Sequence, residues 1–224
     1  MTDIYTLNVK NNSTQTGSFC IFQEAPDVNI PGITTLAWLA KPAHPTSLLE
    51  FQWGLDYSFV WAKTTNLEPG TIVKTSQAWD ANLSTMNHVD FDFSDGAYTF
   101  SDPSQGDYEG NLYIDQTKRV MSNDASVGIG MSGKGSFLVP SQPNMKVIMT
   151  PKPTYWLVFG NFEEGEIFDG MEIWNADAEW RNDWFGEWIL ALAILPVNPI
   201  LGGLQLLDRP DENLVLWDRA LMSG

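Results

Sequence analysis

The stretch Val127-Gly128-Ile129-Gly130-Met131-Ser132-Gly133-Lys134-Gly135-Ser136 has the residue types of a nucleotide site. Gly128, Gly130 and Gly133 carry the spacing of a dinucleotide-binding loop, and Gly128, Gly133 and Lys134 most of a phosphate loop. Both chemistries need the glycine turn to open a helix, whose free N–H groups and dipole hold the phosphates. Here the turn runs into Phe137-Leu138-Val139-Pro140, which reads as a strand ending in proline. Gly135 also stands where the Mg²⁺-binding Ser or Thr belongs. The expectation is a hairpin, with Val127, Ile129 and Met131 toward the core and small residues admitting a close backbone. Lys134 is the single cation between Arg119 and Lys146 in a chain of net charge −16. Neither ATP nor NAD is therefore expected to bind, and no cofactor is predicted.

The second candidate is Asp90-Phe91-Asp92-Phe93-Ser94-Asp95-Gly96, which resembles the opening of a Ca²⁺ loop. Its glycine falls one place late, and Ser101 stands where the closing Glu belongs. Eight acids and no Lys or Arg lie between Asp80 and Asp115, so weak Ca²⁺ binding is chemically open. The alternation of Asp with Phe favours a strand with one wet and one buried face, and no metal site is assigned. The two histidines, His44 and His88, stand apart, without a nucleophile elbow or metal-ligand spacing. Glu163 and Glu164 form a carboxylate pair of the kind any acidic protein offers. No catalytic residue is assigned, and the chain is not expected to be an enzyme. Cys20, the lone cysteine, lies in Ser18-Phe19-Cys20-Ile21-Phe22 and reads as a buried, inert thiol.

Ten tryptophans remain. Trp38, Trp53, Trp61, Trp79 and Trp156 lie in strand-like runs and belong to the core. Trp174, Trp180, Trp184 and Trp188 lie in an acidic segment and are the candidate contacts for a partner or a sugar.

The elements that position these residues follow from periodicity. Runs of period two, rich in aromatic and β-branched residues, recur from Ile4 to Phe159 with turn chemistry between them, among them Thr34 to Lys41, Thr71 to Trp79 and Ser126 to Met131. Asp95-Gly96 is a hairpin signal, and Leu67-Glu68-Pro69-Gly70 a turn. Short strands so closely spaced predict a mainly β fold, a single antiparallel, Greek-key-like β-sandwich over residues 1–160. From Asn161 to Glu187 nine acids face one base, and Trp180, Trp184 and Trp188 recur at helical spacing. Residues 161–224 are read as an acidic, Trp-rich extension on the same domain, helical from about Asn175 to Pro196. Leu214 to Trp217 is a possible last strand.

Composition narrows the function classes. Hydrophobic residues at 43% suffice for a sizeable core. With 12 bases against 28 acids, nucleic acid and anionic membranes are disfavoured partners. The longest apolar run, Trp188 to Leu195, is far short of the roughly 20 residues a transmembrane helix needs. Without a basic n-region or apolar h-region at the N-terminus, the expected location is cytoplasmic, with non-conventional export open.

Several phrases in order carry a family likeness: Tyr5-Thr6-Leu7-Asn8-Val9-Lys10-Asn11-Asn12-Ser13, Phe19-Cys20-Ile21-Phe22-Gln23, Leu36-Ala37-Trp38, Asp56-Tyr57-Ser58-Phe59-Val60-Trp61, Ser126 to Gly133, and Pro153-Thr154-Tyr155-Trp156. Over residues 4–160 the chain resembles the bacterial rhizosphere-induced protein family of the RhiA type. The resemblance implies an abundant soluble bacterial protein, tied in its type member to quorum-regulated expression near plant roots. It brings no catalytic residues. The leading expectation is thus a non-catalytic β protein that self-associates as a homo-oligomer or binds a partner. A carbohydrate-binding module for neutral sugars is the alternative, and a membrane-active β-sandwich toxin the third.

Overall fold

The computed structural model describes residues 4–11, 14–23, 25–26, 31–151 and 155–168, and the backbone of 192–194 and 215–216. The fold is mainly β, and no helix occurs among the described residues. Four sheets form. One orders β16 (Val215–Leu216), β1 (Ile4–Lys10) and β5 (Leu48–Gly54); a second orders β15 (Leu192–Ile194), β14 (Tyr155–Gly160), β2 (Gly17–Gln23) and β4 (Leu39–Ala43). The third orders β3 (Thr34–Thr35), β12 (Lys134–Pro140), β11 (Ser126–Met131), β6 (Tyr57–Ala62) and β7 (Gln77–Asp80). The fourth orders β13 (Lys146–Met149), β10 (Leu112–Gln116), β8 (His88–Ser94) and β9 (Ala97–Ser104).

The sandwich is assembled as two facing pairs of sheets. Leu7, Val9 and Phe51 of the first sheet pack on Phe19, Ile21 and Leu157 of the second, around Trp38, Trp53 and Tyr155. Phe59, Val127, Ile129 and Phe137 of the third pack on Val89, Phe91, Ile114 and Val147 of the fourth. Tyr57 touches both cores. Period-two alternation explains this: each strand commits its apolar phase to the facing sheet.

Among the described residues every strand pair is antiparallel except one. β8 and β10 run parallel, with Asp90 opposite Asp115, and β9 occupies the other side of β8. The chain therefore crosses the sheet between β9 and β10 rather than turning back in a hairpin.

The glycine-rich stretch is the hairpin its sequence implies. Val127, Ile129 and Met131 are buried, and β11 turns into β12 through Ser132 and Gly133, with φ of 52° and 72°. A Cβ on Gly128 would lie 2.0 Å from the Phe137 carbonyl oxygen, and one on Gly130 2.1 Å from that of Lys134. Close backbone approach, not phosphate, fixes these glycines.

Two expectations are modified. Thr71 to Trp79 is a strand only at Gln77–Asp80, because the backbone at Ile72 and Val73 pairs with Gly165 and Glu166 instead of a sheet. The helix read from Asn175 to Pro196 does not hold at its end. Leu192–Ile194 is a strand, paired antiparallel with β14, and an open sheet edge outweighs local helical spacing there. The rest of that segment, including Trp174, Trp180, Trp184 and Trp188, lies outside the described residues. Val215–Leu216 is a strand where Leu214 to Trp217 suggested one.

Candidate functional site

The fourth sheet has one face to spare. Val89, Phe91 and Ile114 point into the core, so their neighbours in sequence, His88, Asp90, Asp92, Tyr113 and Asp115, share the opposite face. The parallel pairing sets His88 beside Tyr113 and Asp90 beside Asp115, and β13 adds Lys146 opposite Asp115.

A loop narrows this face. Asn87, fully buried, donates from Nδ2 to the carbonyls of Tyr108 and Asn111 and accepts from the backbone N–H of Gly106 at 2.7 Å. Gly106 lies so close to the Tyr113 ring that a Cβ would come within 2.4 Å of it. The Tyr113 hydroxyl accepts from the Tyr108 N–H at 3.2 Å. Residues 105–111 are thereby held over the sheet beside His88.

Three side chains converge on His88 there. His88 Nδ1 meets Ser104 Oγ at 2.9 Å, and its Nε2 lies 3.2 Å from Asp115 Oδ2 and 3.8 Å from Asp90 Oδ1. Burial holds the Asp90 carboxyl above its ordinary range, His88 works against that, and Asp115, Asp102 and Asp92 reinforce it. Lys146 Nζ stands 3.8 Å from Asp115 Oδ2 and 3.9 Å from Asp107 Oδ2, beyond hydrogen-bond reach. The other carboxylate oxygen of Asp115 is closed off from solvent and has no hydrogen-bond partner. Ser104, His88 and Asp115 form a hydroxyl–imidazole–carboxylate relay, but with the ring nitrogens used in the opposite sense to a serine hydrolase.

Asp92, two residues on, is a different case. It is not solvated as its alternation suggests, because its side chain is only 7% exposed. Arg119 grips it through Nε at 2.9 Å and through Nη2, and Thr117 donates to it as well. These contacts, Arg119 first, hold its carboxyl below the ordinary carboxylate range.

The other sequence candidates do not join the cluster. His44 sits in an exposed turn, 3.4 Å from Thr16 Oγ1. Lys134 donates to Glu164 at 2.6 Å. Cys20 is buried, and burial pushes its thiol up. Trp38 and Trp53 are core residues, while Trp61, Trp79 and Trp156 are half-buried. A depression of about 250 Å³ lined by Ile33, Leu67, Pro69, Ile167 and Phe168 shares no residue with the His88 cluster.

Asp115 was missed because its partner in space is not its neighbour in sequence. The available signal was phase: His88-x-Asp90 and Tyr113-x-Asp115 both put polar groups out of step with an apolar set.

Comparison with known proteins settles the kinship of the chain. The RhiA family profile matches residues 2–182. This chain belongs to the RhiA family. It is 35% identical over 158 residues to the protein RhiA of Rhizobium leguminosarum bv. viciae, covering 70% of this chain and 68% of that protein. No solved structure matches it. In this RhiA-family chain the His88 cluster, the glycine hairpin and the Trp38–Trp53–Tyr155 core all lie inside the matched residues. Strands β15 and β16 lie beyond them.

Proposed function

We propose that this RhiA-family protein acts by non-covalent association in a rhizosphere setting, self-associating or binding a partner through its sheet edges, and not by catalysis. What supports this reading is the position of the two strands that follow the family-matched residues. Leu192–Ile194 pairs with β14, and Val215–Leu216 pairs with β1, so each extends a sheet at an edge. An edge strand presents unpaired N–H and C=O groups that another chain can use, and exchanging one element between identical copies is a low-cost route to a dimer. The same pairing made by a second copy gives a homo-oligomer without any new contact.

Light scattering after size exclusion tests it, over a range of concentrations, on the full chain and on residues 1–182. The cut falls after Phe168 because Ile167 and Phe168 are buried against the sheets and belong to the body. The full chain is expected to associate and the shortened one to change its state. A strict monomer at every concentration removes self-association.

A neutral carbohydrate is the second reading. Tyr108 favours it: the residue is 72% exposed and flanked in sequence by Asp107 and Glu109, an aromatic side chain beside hydrogen-bond acceptors. Titration with plant and microbial polysaccharides, followed by intrinsic fluorescence, should shift in the native chain and not in Tyr108→Ala. No shift retires it.

A further inference from the structure

We propose that His88, Asp90 and Asp115 bind a divalent transition-metal ion on the outer face of the fourth sheet. This inference is independent of association through the sheet edges. One donor atom from each residue lies within 4.8 Å of the others. Ligands around one ion at roughly 2.0–2.2 Å can be separated by at most about 4.4 Å, so small side-chain rotations close the set. His88 Nε2 and the two carboxylates already approach within that span, at 3.2 and 3.8 Å.

The scaffold suits such a site. All three residues stand on β8 and β10, where parallel pairing fixes Asp90 opposite Asp115 and period two puts His88 on the same face. Ser104 holds Nδ1, which aims Nε2 at the carboxylates, the usual role of an outer partner to a ligating histidine. In the tautomer with the proton on Nδ1, the Nε2 lone pair faces the two carboxylates and is free to take a cation between them.

The solvent-sealed Oδ1 of Asp115, with no hydrogen-bond partner, is the independent sign. A buried carboxylate oxygen without a partner is costly, and a cation bound by that carboxylate supplies the missing charge. Lys146 does not reach that oxygen: its Nζ makes only a long ion pair, 3.8 Å from Asp115 Oδ2. Access remains: Asp90 and Asp115 are 34% and 41% exposed. The donor chemistry selects the ion. An imidazole nitrogen with two carboxylates suits Zn²⁺, Mn²⁺ or Co²⁺ better than Ca²⁺, which takes oxygen alone.

The test uses the full chain, stripped with a chelator and then titrated with Zn²⁺, Mn²⁺, Co²⁺ and Ca²⁺ by calorimetry. Co²⁺ is also followed by its visible absorption. One saturable transition-metal site is expected, weakened at least 10-fold in His88→Gln, Asp90→Asn and Asp115→Asn, and unchanged in His44→Ala. Circular dichroism checks that each variant is folded. If His88→Gln is not, the isosteric Asp90→Asn decides. No binding of the three transition metals, or binding that survives in folded Asp90→Asn and Asp115→Asn, overturns the proposal and leaves His88–Asp115 as a plain ion pair. Binding lost equally in His44→Ala overturns it too.

Discussion

β11 is buried along its whole length, from Ser126 to Met131, whereas β8 alternates, with Val89 and Phe91 inward and His88 and Asp90 outward. The two strands belong to facing sheets and share one core. Their outer sides differ. On the outer side of their sheet, Val60 of β6 and Leu138 of β12 are covered by Leu36, Val73 and Ile167, a second apolar layer. Behind β8 and β10 lie charged side chains under a loop. A strand covered on both faces has no surface left for a ligand, however suggestive its glycines. A strand covered on one face can gather groups from its neighbours at no cost to the core.

Substitutions that probe the closed hairpin should have the largest effect. Gly128→Val places a side chain against the backbone of Phe137, with no flexible group to yield. A loss of about 3 kcal/mol or more is expected, read as a lower urea midpoint. An unchanged midpoint would show that β11 and β12 separate more easily than their packing implies.

Arg119→Ala comes next, on the open sheet. It leaves Asp92, nearly buried, with Thr117 as its remaining side-chain partner, and should lower the urea midpoint at neutral pH, by less than Gly128→Val does. The pH dependence has a definite sign. The folded Asp92 carboxyl lies below its unfolded value of about 4, so its contribution is present above that pH. It is lost as pH falls through the lower folded value. The stability gap between wild type and Arg119→Ala should therefore narrow below about pH 4.

At the opposite end of the scale the other core titrates. Burial raises the hydroxyl pKa of Tyr57 and Tyr155, so the unfolded chain releases these protons first, near pH 10. Stability should fall above that pH, followed by circular dichroism alongside phenolate absorbance. A flat profile from pH 9 to 11.5 would mean that these hydroxyls are wetter than their burial suggests.

Lys134→Ala should do least. The exposed Lys134–Glu164 pair contributes under about 1 kcal/mol. Calorimetry with Mg-ATP and with NAD should be blank in both native chain and variant. Micromolar binding abolished by this substitution would reopen the glycine stretch as a nucleotide site.

Most strands were legible because alternation is a local signal. Ser126–Met131 is bounded as its sequence suggests, and Asp95-Gly96 makes its turn with φ of 53° and 80°. Thr34 to Lys41 was not legible as two pieces. The chain leaves β12 and joins β2 there, and Ala37 bonds to Gly165 and Glu166 instead of a strand. The cluster was half visible. His88 and Asp90 share a phase in one strand, but Asp115 reaches them through the parallel pairing of β8 with β10. Asp92 shows the limit of alternation, since the polar phase of a strand is wet only if nothing folds over it, and Arg119 does.

The pairing of β2 with β14 has a consequence for how the chain is made. Phe19, Ile21 and Phe22 leave the ribosome well before Tyr155, and β4 can join them soon after. Their other edge is completed by Tyr155–Gly160, which is synthesised long afterwards. Pairings between such distant segments close large loops before they gain anything, so they form slowly. Until then the nascent chain therefore carries an apolar strand with one open side, the kind of edge on which unfinished copies stick together. Holding that edge apart from its neighbours until residue 160 has emerged is a task for whatever escorts the chain off the ribosome.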